Sequence, residues 1–127
     1  MKSKPSIFFT RPHANKGAKM FLKDPVTGQP TEDFLHVLGL ESDAFKEALT
    51  AKHKENARIL ALPEAEQADA LAEAELQLFA SLVTGWSFDN FSVDGVKELL
   101  REAPQVKKDV DTFAGDRANF ITRPSKN

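Results

Sequence analysis

Phe79-Ala-Ser-Leu-Val-Thr-Gly-Trp86-Ser-Phe88-Asp-Asn-Phe91-Ser-Val-Asp-Gly-Val96-Lys-Glu-Leu-Leu100 is the stretch whose reading decides the fold. Its first residues close an apolar helix. Thr84-Gly85 reads as the stop, with Gly85 as a left-handed C-terminal cap. Trp86, Phe88 and Phe91 then form an aromatic connection that carries the only Trp of the chain. Ser92 or Asp94 can cap a short helix whose apolar side is Val96, Leu99 and Leu100. Pro104 ends that helix and suits the first position of another. In the last helix Val106, Val110, Phe113, Phe120 and Ile121 fall on one side. Gly115 lies inside that pattern, where it costs about 1 kcal/mol relative to Ala.

Working back toward the N-terminus, the residues from about Pro63 to Val83 are rich in Ala and Glu, both strong helix formers. Pro63 suits a first helical position, and Glu64 and Glu66 complement the positive end of the helix. Leu71, Leu76, Leu78, Phe79, Leu82 and Val83 widen the apolar stripe toward the C-terminal half, which is therefore the buried half. Ser42 is a good N-cap for an earlier helix reaching about Leu60, with Phe45, Ala48, Leu49, Ala57, Ile59 and Leu60 on a loose stripe.

Before Gly39 the period changes. Ala18–Lys23 alternates around Met20, Phe21 and Leu22, and Phe34–Leu38 does the same. Asp24-Pro25-Val26-Thr27-Gly28-Gln29-Pro30 separates them, with Pro25 presetting a turn and Gly28 free to take a positive φ. This predicts a β-hairpin. The expected fold is therefore α+β and mostly α-helical: a short antiparallel hairpin or sheet in the N-terminal third, followed by about four helices. Residues 1–17 read as an extended basic arm, 18–121 as a single domain and 122–127 as a polar tail. Phe8 and Phe9 are expected to dock, since two adjacent exposed Phe residues are a liability.

With 127 residues, 41% hydrophobic and 28% charged, the composition is that of one ordinary globular domain. The chain has no cysteine, which excludes a disulfide scaffold and a thiolate metal site. No apolar run approaches the roughly 20 residues that span a bilayer, so no membrane partner is expected. The net charge of −2 is unevenly spread: +6 for residues 1–23, −10 for 24–103 and +2 for 104–127. A basic arm on an acidic body reads as arm–body association or simple solvation in preference to nucleic-acid binding, because its cations are spaced singly.

No reactive constellation is legible, so no catalytic residue, metal ligand or cofactor is expected. His13, His36 and His53 are far apart in sequence, and Glu73 and Glu75 belong to a solvated helix face. The glycines form no phosphate loop. Phe88 and Phe91 beside Trp86 could stack bases, but no basic residue lies between Thr84 and Val96 to hold a nucleic-acid backbone. Trp86, Phe88, Phe91, Phe8 and Phe9 are the candidate partner-binding residues. For Trp86 a core plug where three helices meet is favoured over an exposed hot spot; one buried face and one available edge would satisfy both.

Taken in order, Asp24-Pro25-Val26-Thr27-Gly28, Gly39-Leu40-Glu41-Ser42 with Phe45, Val83-Thr84-Gly85-Trp86-Ser87, Val96 to Leu100, Ala103-Pro104 and Asn119-Phe120 resemble the tail assembly chaperones of long-tailed, siphovirus-type bacteriophages. The resemblance covers roughly residues 17–121; the arm before Gly17 has no counterpart in it. It implies a non-enzymatic protein of the bacterial host cytoplasm that binds and solubilises the tape-measure protein and helps recruit tail-tube protein. It also implies absence from the mature virion, and leaves a homo-oligomer open. The alternatives are a nucleic-acid-binding module using the basic arm, or a structural head–tail or tail protein. Many such chaperones have a longer form made by minus-one ribosomal slippage, and Ser125-Lys126-Asn127 is compatible with a slippery A-AAA-AAC heptamer.

Overall fold

The computed structural model describes residues 4–121; the polar tail and the slippage expectation lie outside them. The chain forms an α+β fold. A three-stranded antiparallel sheet has α-helices packed on one of its faces. In chain order the elements are α1 (Arg11–Lys16), β1 (Ala18–Lys23), β2 (Pro30–Val37), α2 (Asp43–Ile59), α3 (Glu64–Ala80), β3 (Val83–Trp86), α4 (Val93–Glu102) and α5 (Pro104–Ala114). Single 3-10 turns occupy Pro5–Phe8 and Arg117–Asn119.

The hairpin forms as its alternation requires. Met20 faces Leu35 and Phe21 faces Phe34 across the two strands. Met20 and Leu35 point into the core, while Lys19, Phe21 and Lys23 are exposed. Asp24 organises the connection: its Oδ1 accepts from the Val26 and Thr27 amides at 2.8 and 3.1 Å, and Gly28 takes φ +74°. The register shifts beyond Phe21 so that Lys23 pairs with Pro30.

Two caps and one proline fix the helices as the sequence predicts. Ser42 Oγ accepts from the Phe45 amide at 3.2 Å, and Ser92 Oγ accepts from the Gly95 amide at 2.9 Å. Such caps contribute about 1 kcal/mol each. Pro104 opens α5. The buried half of α3 is its C-terminal half, at Leu76, Leu78 and Ala80. Leu35, Val37, Leu82, Val96, Leu100 and Val110, each at most 1% exposed, form the centre where the sheet meets α3, α4 and α5.

Four local expectations are corrected. First, Gly85 does not cap a helix: α3 ends at Ala80, and Val83–Trp86 continues as β3, pairing with β2 through Val37↔Val83, His36↔Gly85 and Leu35↔Trp86. Second, Gly115 lies just past α5 as its C-cap rather than inside it, and Phe120 folds back to pack edge-on against Phe113. Third, Pro63 is the residue before α3, not its first. Fourth, the arm is not extended: Pro12 sits in the first turn of α1, and Ala14 is buried against Gly39, whose amide donates to the Ala14 carbonyl at 3.0 Å.

Polar contacts hold α1 in place. Arg11 Nη1 reaches both oxygens of Asp43 at 3.1 and 2.9 Å. Asn15 donates to Asp43 Oδ2 at 3.1 Å and accepts from the Asp43 amide at 2.7 Å. Next to this, Glu41 accepts from Thr10 at 3.0 Å and from Arg117 at 2.7 and 2.8 Å. The Arg11 and Asn15 hydrogen bonds hold the Asp43 carboxyl below its ordinary range, and Arg117, then Thr10, do the same for Glu41. Both folded-state pKa values are depressed, so this stabilisation is present above the unfolded-state pKa near 4 and is lost as pH falls through the folded values. The urea midpoint is expected to drop as pH is lowered from about 5 to 3, and to drop less in Glu41→Gln/Asp43→Asn. Parallel pH dependence of the two proteins would refute the assignment.

Candidate protein-interaction surface

The strand β3 delivers Trp86 to the edge of the sheet, and the next residue pins the chain there. The Ser87 amide donates to the Phe34 carbonyl at 3.0 Å, while Ser87 Oγ accepts from the Phe34 amide at 2.9 Å and donates to Asp33 at 3.0 Å. The chain then turns through Asn90 at φ 56°, a left-handed conformation that Asn tolerates better than most residues. Ser92 restarts the backbone as α4.

This short connection folds two aromatic rings onto Trp86. Phe88 and Phe91 both meet it edge-on, with centroids 5.4 and 5.6 Å away and interplanar angles of 83° and 87°. That is the geometry the ring quadrupoles favour. Phe88 is 42% exposed, Phe91 40% and Val93 47%. Trp86 itself is half-buried and rests on the core. Gly95 allows α4 to approach the indole, since a Cβ there would stand 2.7 Å from Trp86 Cη2. The indole Nε1 is buried without an acceptor among the described residues. Trp86 is therefore not a plug where three helices meet. It is the half-buried floor of a corner whose outer wall is Phe88 and Phe91.

The corner holds no cation, and its turn carries one carboxylate, Asp89. Lys97, the first cation after it, is drawn to Glu73 on α3, which Arg101 also approaches at 3.3 Å. These contacts hold the Glu73 carboxyl below its ordinary range, Lys97 most strongly. The negatively charged face of α3 is thereby tied to α4 and α5, with Lys107 meeting Glu75 at 2.9 Å.

Phe8 and Phe9 do not join the corner. They stand 72% and 54% exposed on the first 3-10 turn, so the docking expected of them is not onto the described residues of their own chain. Sequence reading also passed over a second aromatic pair, on the sheet face away from the helices. There Phe21 and Phe34 meet edge-on at 6.0 Å, with Lys19 Nζ 4.5 Å from the Phe34 ring centre. The signal was present in the alternation, since Lys19 and Phe21 share one parity and Phe34 faces Phe21. The histidines remain apart; His36 Nδ1 lies 2.7 Å from Thr84 Oγ1. Among the described residues no three His, Asp or Glu side chains gather as a metal site, and no helix is long and apolar enough to cross a membrane.

Comparison with protein-family models, with curated proteins and with solved structures gives no match for this chain.

Proposed function

We propose that this chain is a non-enzymatic tail assembly chaperone of a long-tailed bacteriophage. In this reading it binds and solubilises the tape-measure protein, helps recruit tail-tube subunits, acts in the host cytoplasm and leaves before the virion is complete. The observation that carries the reading is the half-exposed aromatic corner of Trp86, Phe88 and Phe91, together with the ordered landmarks that resemble this family. An unassembled tape-measure chain exposes apolar helical stripes. A preformed apolar corner on a charged body suits the covering of such a stripe, because burial there needs no prior rearrangement of the chaperone. Rings with few rotatable bonds also lose little entropy when a partner immobilises them.

The test is co-expression with the tape-measure protein encoded beside it. The wild-type chain is expected to move that protein into the soluble fraction and to co-purify with it, whereas Phe88→Ser/Phe91→Ser should do neither. An unchanged soluble fraction with the wild-type chain would overturn the proposal, as would detection of the chain as a stoichiometric component of purified particles.

A further inference from the structure

We propose that the aromatic corner takes an amphipathic helix whose apolar stripe is flanked by Lys or Arg, an inference that rests on the proposed function and names the charge pattern of its client. The apolar part of the surface is already in place. Phe88, Phe91 and Val93 are 42%, 40% and 47% exposed beside the half-buried Trp86. Two of these side chains are rings held edge-on against the indole. A helix covers such a surface with apolar residues at i, i+3, i+4 and i+7.

Charge decides what must flank that stripe. Helix α4 sorts its charges by face. Lys97 and Arg101, four residues apart, both reach Glu73 on α3. Gly95 faces the Trp86 ring, and Glu98 and Glu102 follow it at i+3 and i+7, on the same side of the helix. The cations of α4 therefore turn toward α3, and its carboxylates line the side that adjoins the corner. Three more carboxylates surround the rings. Asp89 stands in the turn between Phe88 and Phe91, Asp94 lies in the first turn of α4, and Asp33 accepts from Ser87 at 3.0 Å. All five are exposed, and none forms an ion pair among the described residues. No Lys or Arg lies between Thr84 and Val96. Lys19 belongs to β1, with β2 between it and β3, and lies over the Phe34 ring. The rim thus carries one sign of charge. It attracts a helix flanked by cations and repels one flanked by acids, so the rings supply contact area and the rim supplies selectivity.

Two synthetic helical peptides test this directly. They share a Leu stripe at i, i+3, i+4 and i+7 and differ only in the flanking residues, Lys in one and Glu in the other. At low salt the wild-type chain is expected to bind the Lys-flanked peptide at least about tenfold more tightly. The margin should shrink at about 1 M salt, where the Debye length is about 3 Å. Glu98→Lys/Glu102→Lys should reverse the preference, and the neutral Asp89→Asn/Glu98→Gln/Glu102→Gln should abolish it. Both variants are expected to keep the wild-type urea midpoint, because the side chains they change are exposed and outside the ion pairs. Equal affinity for the two peptides, or a Lys preference that survives in the neutral variant, would overturn the inference; continued capture of the tape-measure protein would then leave the proposed function standing. A Lys preference in a chain that fails to solubilise the tape-measure protein would keep the charge selectivity of the corner and remove the proposed function. Self-association that Phe88→Ser/Phe91→Ser abolishes, with neither peptide bound, would assign the corner to a second copy and overturn the inference as well.

Discussion

Gly17→Ala is expected to destabilise the fold by about 3 kcal/mol, although nothing in the local sequence marks Gly17 as more than a loop glycine. Gly17 joins α1 to β1 with φ +76° and ψ −179°, a region that is almost entirely reserved for glycine. The space around it is also full. A Cβ would stand 2.8 Å from the Val37 carbonyl oxygen, 2.8 Å from His36 Cε1 and 2.9 Å from Leu38 Cδ2. The backbone oxygen is the decisive neighbour, since a carbonyl within the sheet cannot swing aside as a side chain can. Gly28 separates the two causes. It has a similar φ of +74°, but a Cβ there would meet nothing within 4 Å. Gly28→Ala should therefore cost only about 1 kcal/mol, the left-handed penalty alone. Urea midpoints at unchanged slope measure both variants. Equal losses would mean that crowding at the α1–β1 junction contributes nothing, and that Gly17 is not set against Val37 and Leu38 as described.

The readable parts of this fold are those whose cause is local. Ser42 and Ser92 sit three residues before the amides they accept from, and Pro104 fixes its own φ, so a short window contains the whole reason for each helix start. The hairpin is legible because alternation around Met20 and Leu35 states its own face. The third strand is not. Val83–Trp86 follows an apolar helix without a break in hydrophobicity, and its strand character comes from pairing with Val37, His36 and Leu35, far back in the chain. Helix α1 is hidden for the same reason: among its six residues only Ala14 is buried, and its anchors on α2 lie 28 and 32 positions away. The candidate surface divides along the same line. Trp86, Phe88 and Phe91 meet because they are neighbours in sequence on one turn, whereas the exposure of Phe8 and Phe9 depends on where the rest of the chain does not reach.

Trp86→Ala is expected to cost about 3 kcal/mol of stability, the lower end of the range for deleting a large aromatic ring, because the indole is half-buried rather than enclosed. The loss has three sources. The ring covers the core beside Leu35, its strand partner. It also supplies the surface on which Phe88 and Phe91 rest, each edge-on contact contributing about 0.5–1.5 kcal/mol. Finally, α4 approaches closely at Gly95 only because the flat ring fills that space, so removal leaves a gap that the helix cap at Ser92 prevents from closing. Trp86→Phe should cost about 1 kcal/mol, since a smaller ring keeps the floor and removes an indole N–H that has no acceptor among the described residues. Phe88→Ser and Phe91→Ser should each cost about 1 kcal/mol while removing most of the exposed wall. On the proposed function, stability and binding are expected to divide between floor and wall, with Trp86 setting the melting transition and the two Phe rings the affinity for an apolar client. Chemical denaturation of the four variants beside client co-purification reads this division directly. If Trp86→Ala melts like the wild type, the corner is not built on Trp86. If Phe88→Ser/Phe91→Ser retains full client capture, the corner is a structural feature and the client lies elsewhere.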